Sequence, residues 1–565
     1  MTTDAQGTLP SRLLPGALAS SRRDSKQRQM DRDALELAQL GYKQEFQRAF
    51  SPLHVFGFVF SLFGLFSSMS SVLIYALPYG GPVAMVWGWG LCSFFLVLVA
   101  MSLAELGSAA PTSGGLYYWS FKFASPRWRR LVSWIVGYSN TIGLVAGVAS
   151  VEWGCAVQLM AAASIGSGNV WSATTGQTYA VFLLLLVLHA ATTSLATSVL
   201  AHLQSVYVFL NIALCLVVII ALPIATPAEF KNEASFVFTR IVNNSGWTDG
   251  FAFALSFLAP LWTISGFDAP LHLSEETINA RYSVPLGLVS ATVLAGIMGW
   301  AINVVVAFNM GPDIDGILNS PIGQPMAAIL LNSLGRKGML ATWSVVVAVQ
   351  YIVGMSCFVA TSRQTFAFAR DGALPFSSYL YRIYPRTQTP VACAFAVALS
   401  SAVLGLLAFA GDEATSALFE LGIVGIYIAY IIPIACRFVG RRMWTPGPFN
   451  LGMMSLPVAA TAVLWMTFSI VIVVFPSTPA PDAANMNYTV VVLAGWLSLC
   501  LAYYYCPVYG GVHWFQGPVS NVVSGDPHKS QDHGSSVLPD RDDLKKDGST
   551  STGTIDDGLH ELAEM

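Results

Sequence analysis

The chain has 565 residues, of which 54% are hydrophobic and only 10% are charged, and its mean hydropathy is +0.59. About a quarter of the residues in a typical soluble domain are charged, so this composition excludes an ordinary soluble protein and indicates a polytopic membrane protein. The net charge is only −3 and the basic residues are dispersed, so nucleic acid is not an expected partner.

The cysteines give no sign of metal or disulfide chemistry. All eight lie in or beside apolar runs, without a Cys-x-x-Cys pair, which is typical of small buried hydrophobic residues. No nucleophile triad, metal-spaced cluster or phosphate loop is present either. We therefore expect neither a cofactor nor an enzyme.

The two ends of the chain are polar. Residues 1–50 contain eight Lys/Arg and no apolar stretch of the kind found in signal peptides, which predicts a cytoplasmic N-terminal tail. Residues 31–50 have weak helical periodicity, and both a helix on the membrane surface and a solvated tail fit it. Residues 511–565 are rich in Asp and Ser, which predicts a disordered cytoplasmic tail. The membrane domain is then 51–510.

Twelve segments of the membrane domain are long and apolar enough to cross a bilayer, which takes about 20 residues each. We expect an all-α fold with twelve transmembrane helices. Spans 1 to 12, numbered in chain order, are 55–77, 82–105, 131–163, 178–198, 203–225, 251–272, 284–310, 338–368, 390–410, 415–437, 456–476 and 488–509.

The loops predict the orientation. An even number of spans places both termini on one side. If that side is the cytoplasm, twelve Lys/Arg of the membrane domain fall on inside segments, whereas the outside loops hold only Lys231, Arg240, Arg336 and Lys337. The positive-inside rule favours this arrangement. We expect a multi-pass protein of the plasma membrane with both termini cytoplasmic, although an internal membrane stays open.

Span 6 carries residues that a continuous buried helix would not. Gly266, Asp268, Pro270 and His272 interrupt its apolar sequence. Proline removes a backbone donor and disfavours helix at the residue before it, while glycine relaxes the chain. Irregular backbone in a membrane is tolerated where it lines a polar cavity. We therefore predict a helix broken between 264 and 270 that forms half of a substrate site.

Span 1 has a second interruption. The run Gly64–Ser71 places one glycine and four serines in the middle of the bilayer, and both residue types weaken a helix. A close helix seam of small residues is the alternative. Spans 1 and 6 are five spans apart, which matches an inverted repeat of two five-span halves with corresponding helices broken.

Four motifs carry a resemblance to a known family. They read GGPVAMVWGW (81–90), SLAELGSAAPTSGGLYYW (102–119), SGFDAPLHLSEE (265–276) and SRQTFAFARDGALPFS (362–377). Over residues 50–510 the chain resembles the amino acid–polyamine–organocation transporter superfamily, and most of all its fungal amino acid/choline branch. The resemblance implies a five-plus-five inverted repeat, secondary active uptake of a small molecule and, usually, coupling to protons.

The broken helices predict how a solute is held. Half-helix N-termini attract a carboxylate and half-helix C-termini attract an ammonium group, so a zwitterion fits between them. Phe267 matches the position of an aromatic gate in the superfamily, and ordinary core packing is its alternative. The predicted substrate-binding residues are Gly64, Leu65, Phe66, Ser67, Ser68, Glu152, Thr263, Ile264, Ser265, Gly266, Phe267 and Asp268.

Ionisable residues inside the membrane are costly unless they are paired or face a cavity. We predict that Glu152 in span 3 binds a cationic group or carries the coupling proton; a structural hydrogen-bonded carboxyl is the alternative. Asp268 either takes part in coupling or caps the second half-helix. His272 is a candidate for a proton relay, whereas we interpret His189 in span 4 as a packing residue.

Charged residues at the inner end of span 6 are candidates for a gate. Glu275 and Glu276 follow the break directly, and we expect them to pair with Arg281 or Arg363 as an inner gate or structural clamp. Glu276 therefore joins Glu152, Asp268 and His272 as a predicted coupling or gating residue.

The first hypothesis for function is a proton-coupled importer of an amino acid such as GABA. The main alternative is a choline or polyamine carrier. Choline needs an aromatic cage, for which Phe66, Trp153, Trp262 and Phe267 are available. A non-transporting nutrient sensor on the same fold is less favoured, because the tails are short and low in apolar residues.

Overall fold

The computed structural model describes residues 15–168, 170–195, 197–440, 444–482 and 486–522. Within these ranges the chain is helical and contains isolated β-bridges but no β-strand. Ten of the described helices are long and apolar enough to cross a membrane. The predicted all-α polytopic membrane fold is therefore confirmed.

Helices occupy all twelve predicted spans, but not equally. Span 12 is covered by the shorter Thr489–Tyr505, and span 6 is divided into pieces. For that reason the number of membrane crossings and the inverted repeat stay predictions. The ten long helical segments are Pro52–Tyr75, Gly81–Ala109, Arg129–Gly166, Thr175–Thr193, Val199–Ala225, Ala280–Asn309, Pro325–Arg370, Val391–Ala410, Asp412–Val439 and Gly452–Val473.

Span 1 is broken at Gly64, as the sequence predicts. The helix Pro52–Phe63 starts at a capping box on Ser51 and stops at Gly64, whose backbone is left-handed (φ 48°, ψ 50°). The next helix, Leu65–Val72, then begins in a new direction. A residue with a Cβ is strained in this conformation, so glycine at this position fixes the break.

Span 6 is broken at Gly266. Its helical pieces are Asp249–Leu255, Leu258–Thr263 and Ala269–His272. Residues 264–268 between the last two are irregular, and Gly266 has a φ of 80°. The predicted break is confirmed. The earlier interruption at 256–257 is a feature that the sequence did not predict.

The broken spans lie in the middle of the bundle. In the most apolar stretch of Pro52–Tyr75, 94% of the residues are buried, against 28% for Val199–Ala225. Span 1 is therefore central and span 5 peripheral. Span 3 packs along span 10, where the two backbones meet: a Cβ placed on Gly425 would lie 2.9 Å from Cα of Gly143. Small residues allow such close helix contacts.

The N-terminal segment is docked on the membrane domain. After the helix Pro15–Gln39, the chain crosses the end of span 6, where the backbone N–H groups of Ala49 and Phe50 donate to the carbonyl oxygen of Glu276 (2.9 and 3.0 Å). Arg48 is buried and donates to the carbonyl oxygen of Thr277 (2.5 Å). Both interpretations of this stretch, the solvated tail and the surface helix, are wrong for residues 42–50.

The start of the C-terminal tail is docked as well. A short helix, Gly511–Trp514, leads to Phe515, whose ring packs on Trp134 with 5.2 Å between centroids. The N–H group of Asn521 donates to the carbonyl oxygen of Gly41 (3.1 Å). The predicted disorder is therefore wrong for residues 511–522. Residues 523–565 lie outside the described part of the chain.

Asp371 ties both terminal segments to the end of span 8. Its carboxylate accepts hydrogen bonds from the hydroxyls of Tyr42 (3.1 Å) and Tyr117 (2.7 Å) and from the N–H group of Val519 (3.1 Å). Burial raises the pKa of Asp371 from its ordinary 3.8 to about 6, although Arg370 and these hydrogen bonds act in the opposite direction.

The raised pKa predicts how docking of the termini depends on pH. The docked state holds a proton on Asp371 below about pH 6, whereas a released, solvated Asp371 holds it only below its ordinary 3.8. Docking therefore takes up a proton between these values and becomes more favourable as the pH falls. Hydrogen exchange of residues 515–522, corrected for the intrinsic pH effect, should show protection that rises by up to roughly a hundredfold across this window.

Two variants test the assignment to Asp371. Asp371→Asn should remove the pH dependence, and Asp31→Asn, at an exposed carboxyl of the N-terminal helix, should keep it. Protection that falls as the pH is lowered through 6 would contradict the prediction.

Candidate functional site

The two broken helices face one closed cavity of about 40 Å³. Span 1 contributes Ser68, and the break in span 6 contributes Thr263, Ser265 and Gly266. The remaining lining comes from both sides of these breaks and from spans 3, 8 and 10. It consists of Leu62, Leu144, Gly147, Val151, Trp262, Ala269, Val353, Cys357, Ala360, Thr361 and Ile426.

Four of the predicted binding residues line the cavity, and the other eight do not. Sequence reasoning missed the contribution of spans 3, 8 and 10. The only signal for span 8 is the helical spacing of Val353, Cys357, Ala360 and Thr361, which puts them on one face. The predicted residues that do not line the cavity are Gly64, Leu65, Phe66, Ser67, Glu152, Ile264, Phe267 and Asp268.

The cavity wall is mostly apolar, and its polar side chains are the hydroxyls of Ser68, Thr263, Ser265 and Thr361. None of the described lining residues carries a charge. The hydroxyl of Thr263 has no hydrogen-bond partner within the described chain, whereas the hydroxyl of Ser265 donates to the carbonyl oxygen of Trp262 (2.8 Å). A buried hydroxyl without a partner loses hydrogen-bond energy. Thr263 is therefore the wall residue best placed to bind a polar ligand.

Helix ends supply the electrostatics of the cavity. The helix Leu65–Val72 starts beside it, and the first N–H groups of a helix have no intrahelical acceptor. The first regular helical bond runs from the N–H group of Ser68 to the carbonyl oxygen of Gly64 (2.7 Å), and the N–H group of Gly64 itself donates to the carbonyl oxygen of Phe60 (3.4 Å). The helix Leu258–Thr263 ends at the cavity with its carbonyl groups. The partial positive charge of one helix start and the partial negative charge of the other helix end therefore lie beside the same cavity.

Aromatic rings pack on and near the wall of the cavity. Trp262 lines it and contacts Phe419, with 5.0 Å between ring centroids. Phe267 is fully buried between Phe63 (6.3 Å) and Tyr430 (6.2 Å) and does not line the cavity. These contacts fit both a gate and core packing, so the gating role of Phe267 stays a prediction.

Asp268 and His272 form a buried hydrogen-bonded pair. His272 Nδ1 lies 2.8 Å from the carbonyl oxygen of Ser113, which can only accept, so Nδ1 carries a hydrogen. His272 Nε2 lies 3.1 Å from Asp268 Oδ2 and 3.2 Å from the amide nitrogen of Asn140. The amide N–H of Asn140 donates to Nε2, so Nε2 lies within hydrogen-bond distance of both side chains.

The other oxygen of Asp268 also has a partner. The hydroxyl of Tyr430 donates to Asp268 Oδ1 (2.8 Å) and accepts from the N–H group of the same residue (3.2 Å). The side chain makes no capping hydrogen bond to the helix Ala269–His272. The capping interpretation of Asp268 is therefore wrong, and its carboxyl belongs to a network that links spans 6 and 10.

Glu152 and His189 form a second buried pair. Glu152 Oε1 hydrogen-bonds His189 Nδ1, and both side chains are fully buried between spans 3, 4 and 8. Glu152 Oε2 and His189 Nε2 have no hydrogen-bond partner among the described residues. The imidazole ring lies 4.1 Å from the ring of Tyr351. His189 is thus both a packing residue, as the sequence predicts, and a hydrogen-bond partner of Glu152, which the sequence did not predict.

Ion pairs hold the end of span 6 at Glu275 and Glu276. Arg363 donates to Glu276 (2.8 Å), and this is one of the two predicted pairings. Arg370 holds Glu275 through two hydrogen bonds (3.0 and 3.1 Å). The alternative pairing with Arg281 is wrong, because this side chain pairs with the N-terminal helix. Two arginines of span 8 therefore clamp two successive glutamates.

A bundle with two broken central helices around a small uncharged cavity is the architecture of a membrane carrier for a small solute. A sequence profile described as amino acid permease matches residues 50–496. The chain belongs to the amino acid permease family, which confirms the resemblance seen in its motifs. It is a permease for amino acids and not an enzyme.

Several relatives match over most of their own length. The GABA-specific permease of Saccharomyces cerevisiae is 38% identical over 497 residues, which cover 87% of this chain and 86% of the relative. An uncharacterized amino-acid permease of Schizosaccharomyces pombe is 37% identical over 92% of this chain and 95% of its own. The amino-acid permease BAT1 of Arabidopsis thaliana is 33% identical over 88% of this chain and 98% of its own.

The break in span 6 generates a test of the site. In Gly266→Ala the new methyl group would meet Leu62 at 2.6 Å in a backbone conformation that disfavours any side chain. Strain of about 1–2 kcal/mol should shift the break and lower the initial rate of amino acid uptake by roughly tenfold or more. The rate is normalised to the amount of protein at the cell surface.

Gly495→Ala is the matched control. This glycine lies in span 12 with open space around it, so uptake should stay at the level of the unmodified chain. If Gly266→Ala took up the amino acid as fast as Gly495→Ala and the unmodified chain, the geometry at Gly266 would not be needed for transport.

Proposed function

We propose that this permease imports a GABA-like amino acid across the plasma membrane, driven by protons, with both termini in the cytoplasm. The observation that carries this proposal is the uncharged cavity shared by the two helix breaks, with Ser68 on one side and Thr263 to Gly266 on the other.

The cavity favours a solute that carries both charges. Helix ends supply about half a unit charge of each sign, and no side chain of the lining adds a full charge. A zwitterion with separated carboxylate and ammonium groups matches that pattern. The name of the GABA-specific relative supports the same class of substrate.

The space is too small for such a solute as it stands. About 40 Å³ holds little more than one water molecule. The described conformation is therefore closed, and binding requires the walls to separate. The irregular residues 264–268 and the break at Gly64 are the places where the central helices can change direction.

The alternative substrates fit the wall less well. A polyamine carries several positive charges, and the lining offers no carboxylate to receive them. Choline requires several aromatic rings around its ammonium group, and Trp262 is the one aromatic residue of the lining. Phe66, Trp153 and Phe267 lie outside it.

The two carboxylate–imidazole pairs support coupling to protons. Glu152–His189 lies behind the cavity-lining residue Val151, and Asp268–His272 directly follows the break. Buried carboxyl and imidazole groups inside a membrane domain are typical of proton pathways. In the proposal, Glu152 carries the coupling proton, and Asp268 and His272 connect the cavity to the Glu276–Arg363 clamp.

The orientation has structural support. The N–H group of Lys43 donates to the side chain of Asn521 (2.6 Å), so the docked segments of both termini meet at one end of the bundle. The Lys/Arg bias of the loops favours the cytoplasm for that end.

Uptake assays test the proposed substrate. A fungal strain without its own permeases, expressing this chain, should accumulate labelled GABA, and a protonophore should abolish the accumulation. Labelled choline and putrescine should not accumulate, because the cavity lacks a cage and a carboxylate. Accumulation of choline without GABA would overturn the proposal.

A single carboxyl tests the coupling. Glu152→Gln keeps the shape of the side chain but cannot take up a proton. We expect it to abolish uptake against a gradient while the protein still reaches the cell surface.

Glu420→Gln is the matched control, because Glu420 is a buried carboxyl held by Thr489 (2.6 Å) and Ser416 (3.2 Å), away from the cavity. This variant should still concentrate the substrate. Unchanged accumulation by Glu152→Gln would remove Glu152 from the coupling pathway.

A further inference from the structure

A second cavity, of about 370 Å³, lies where both chain termini meet the membrane domain. Four separate segments build it: the end of the N-terminal helix, the helix Gly115–Phe123, the start of span 3 and the docked C-terminal segment. The lining consists of Gln39, Leu40, Gly41, Tyr42, Tyr118, Phe121, Lys122, Arg129, Pro518, Val519 and Ser520.

The described lining of this cavity is basic and includes no acidic residue. Lys122 and Arg129 line it, both half-buried. No ion pair within the described ranges includes either side chain. Their contacts are aromatic instead: Arg129 lies over the ring of Phe121 (4.6 Å) and Lys122 over the ring of Tyr118 (6.0 Å). Two cations thus converge on a concave space without an ion-pair partner among the described residues. The carboxyl of Asp371 adjoins the wall, where it is hydrogen-bonded to Tyr42 and Val519 and not to either cation.

The surroundings add positive charge. Burial and the nearby Arg281 lower the pKa of Lys122, which means that the ammonium form is destabilised in the empty cavity. Arg281 is itself paired with Glu36 (3.6 Å). An anion in the cavity would relieve both the desolvation and the repulsion.

We propose that this cavity binds a phosphate-bearing anion. Phosphate oxygens would accept hydrogen bonds from the guanidinium of Arg129 and the ammonium of Lys122. The polar side chains of Gln39 and Ser520 on the same wall would meet hydroxyl groups of the ligand. A lipid headgroup and a free organic phosphate share this chemistry, and the cavity exceeds the size of phosphate alone.

Binding would act on the closed conformation. The ligand would contact both docked termini and the start of span 3 at once. It would therefore stabilise the docking that covers the inner end of span 6, where Ala49 and Phe50 bond to Glu276. Such a ligand links the composition of the membrane or cytosol to the opening of the permease.

The test uses the full-length protein in lipid nanodiscs and follows the midpoint of thermal unfolding. In one arm, inositol trisphosphate or inorganic phosphate is added to discs of phosphatidylcholine at constant ionic strength. In the other, the discs contain phosphatidylinositol 4-phosphate and no soluble phosphate is added. We expect the midpoint to rise in at least one arm, and that arm identifies the source of the anion.

Variants connect the response to the cavity. The double variant Lys122→Gln/Arg129→Gln should bind the anion at least about tenfold more weakly for each cation removed, as expected for hydrogen bonds to charged groups. Arg336→Gln/Lys337→Gln removes the same charge from an exposed pair in the predicted outside loop between spans 7 and 8 and should respond like the unmodified protein. Lys122→Arg/Arg129→Lys keeps both charges and should also respond.

The charge-preserving pair separates loss of binding from loss of folding. No response of the unmodified protein in either arm would overturn the proposal. An equal response of the unmodified protein and the Lys122→Gln/Arg129→Gln variant would overturn it as well.

Discussion

The whole structure depends on the need to satisfy backbone polar groups inside the membrane. A helix does this along its length, and a break leaves several N–H and carbonyl groups without intrahelical partners. Two breaks of the described helices, at Gly64 and at residues 264–268, lie against the same cavity. The unsatisfied ends of one helix thereby face those of another, and a ligand with two opposite charges can complete both.

Buried polar side chains next to the second break are also hydrogen-bonded within the bundle. Asp268 and His272 are joined to Ser113, Asn140 and Tyr430. The chain after the second break is therefore fixed by the helices of spans 3 and 10 and by the turn before the helix Gly115–Phe123. Towards the inner end, Glu275 and Glu276 are held by arginines of span 8. The same stretch of span 6 therefore continues from the cavity through the hydrogen-bonded Asp268–His272 pair to the glutamates that the arginines of span 8 hold.

The sequence predicted the breaks because glycine, proline and serine have local conformational effects. The sequence identified Glu152 and Asp268 because a charged side chain in an apolar segment costs free energy in any orientation. It did not predict that His189 pairs with Glu152, since the partners are separated by 37 residues and meet only when spans 3 and 4 pack. The docking of residues 42–50 and 511–522 was missed for the same reason: their composition is that of solvated chain, and their burial depends on surfaces formed by other segments.

The glycine contact between spans 3 and 10 has a mechanical consequence. With Gly143 and Gly425 backbone to backbone, these two helices cannot slide or rotate against each other without colliding. The breaks of spans 1 and 6 are closely packed as well, because a Cβ on Gly64 would collide with Val353 and one on Gly266 would lie 2.6 Å from Leu62. Widening the cavity therefore requires Leu62 and Val353 to move together with the two breaks.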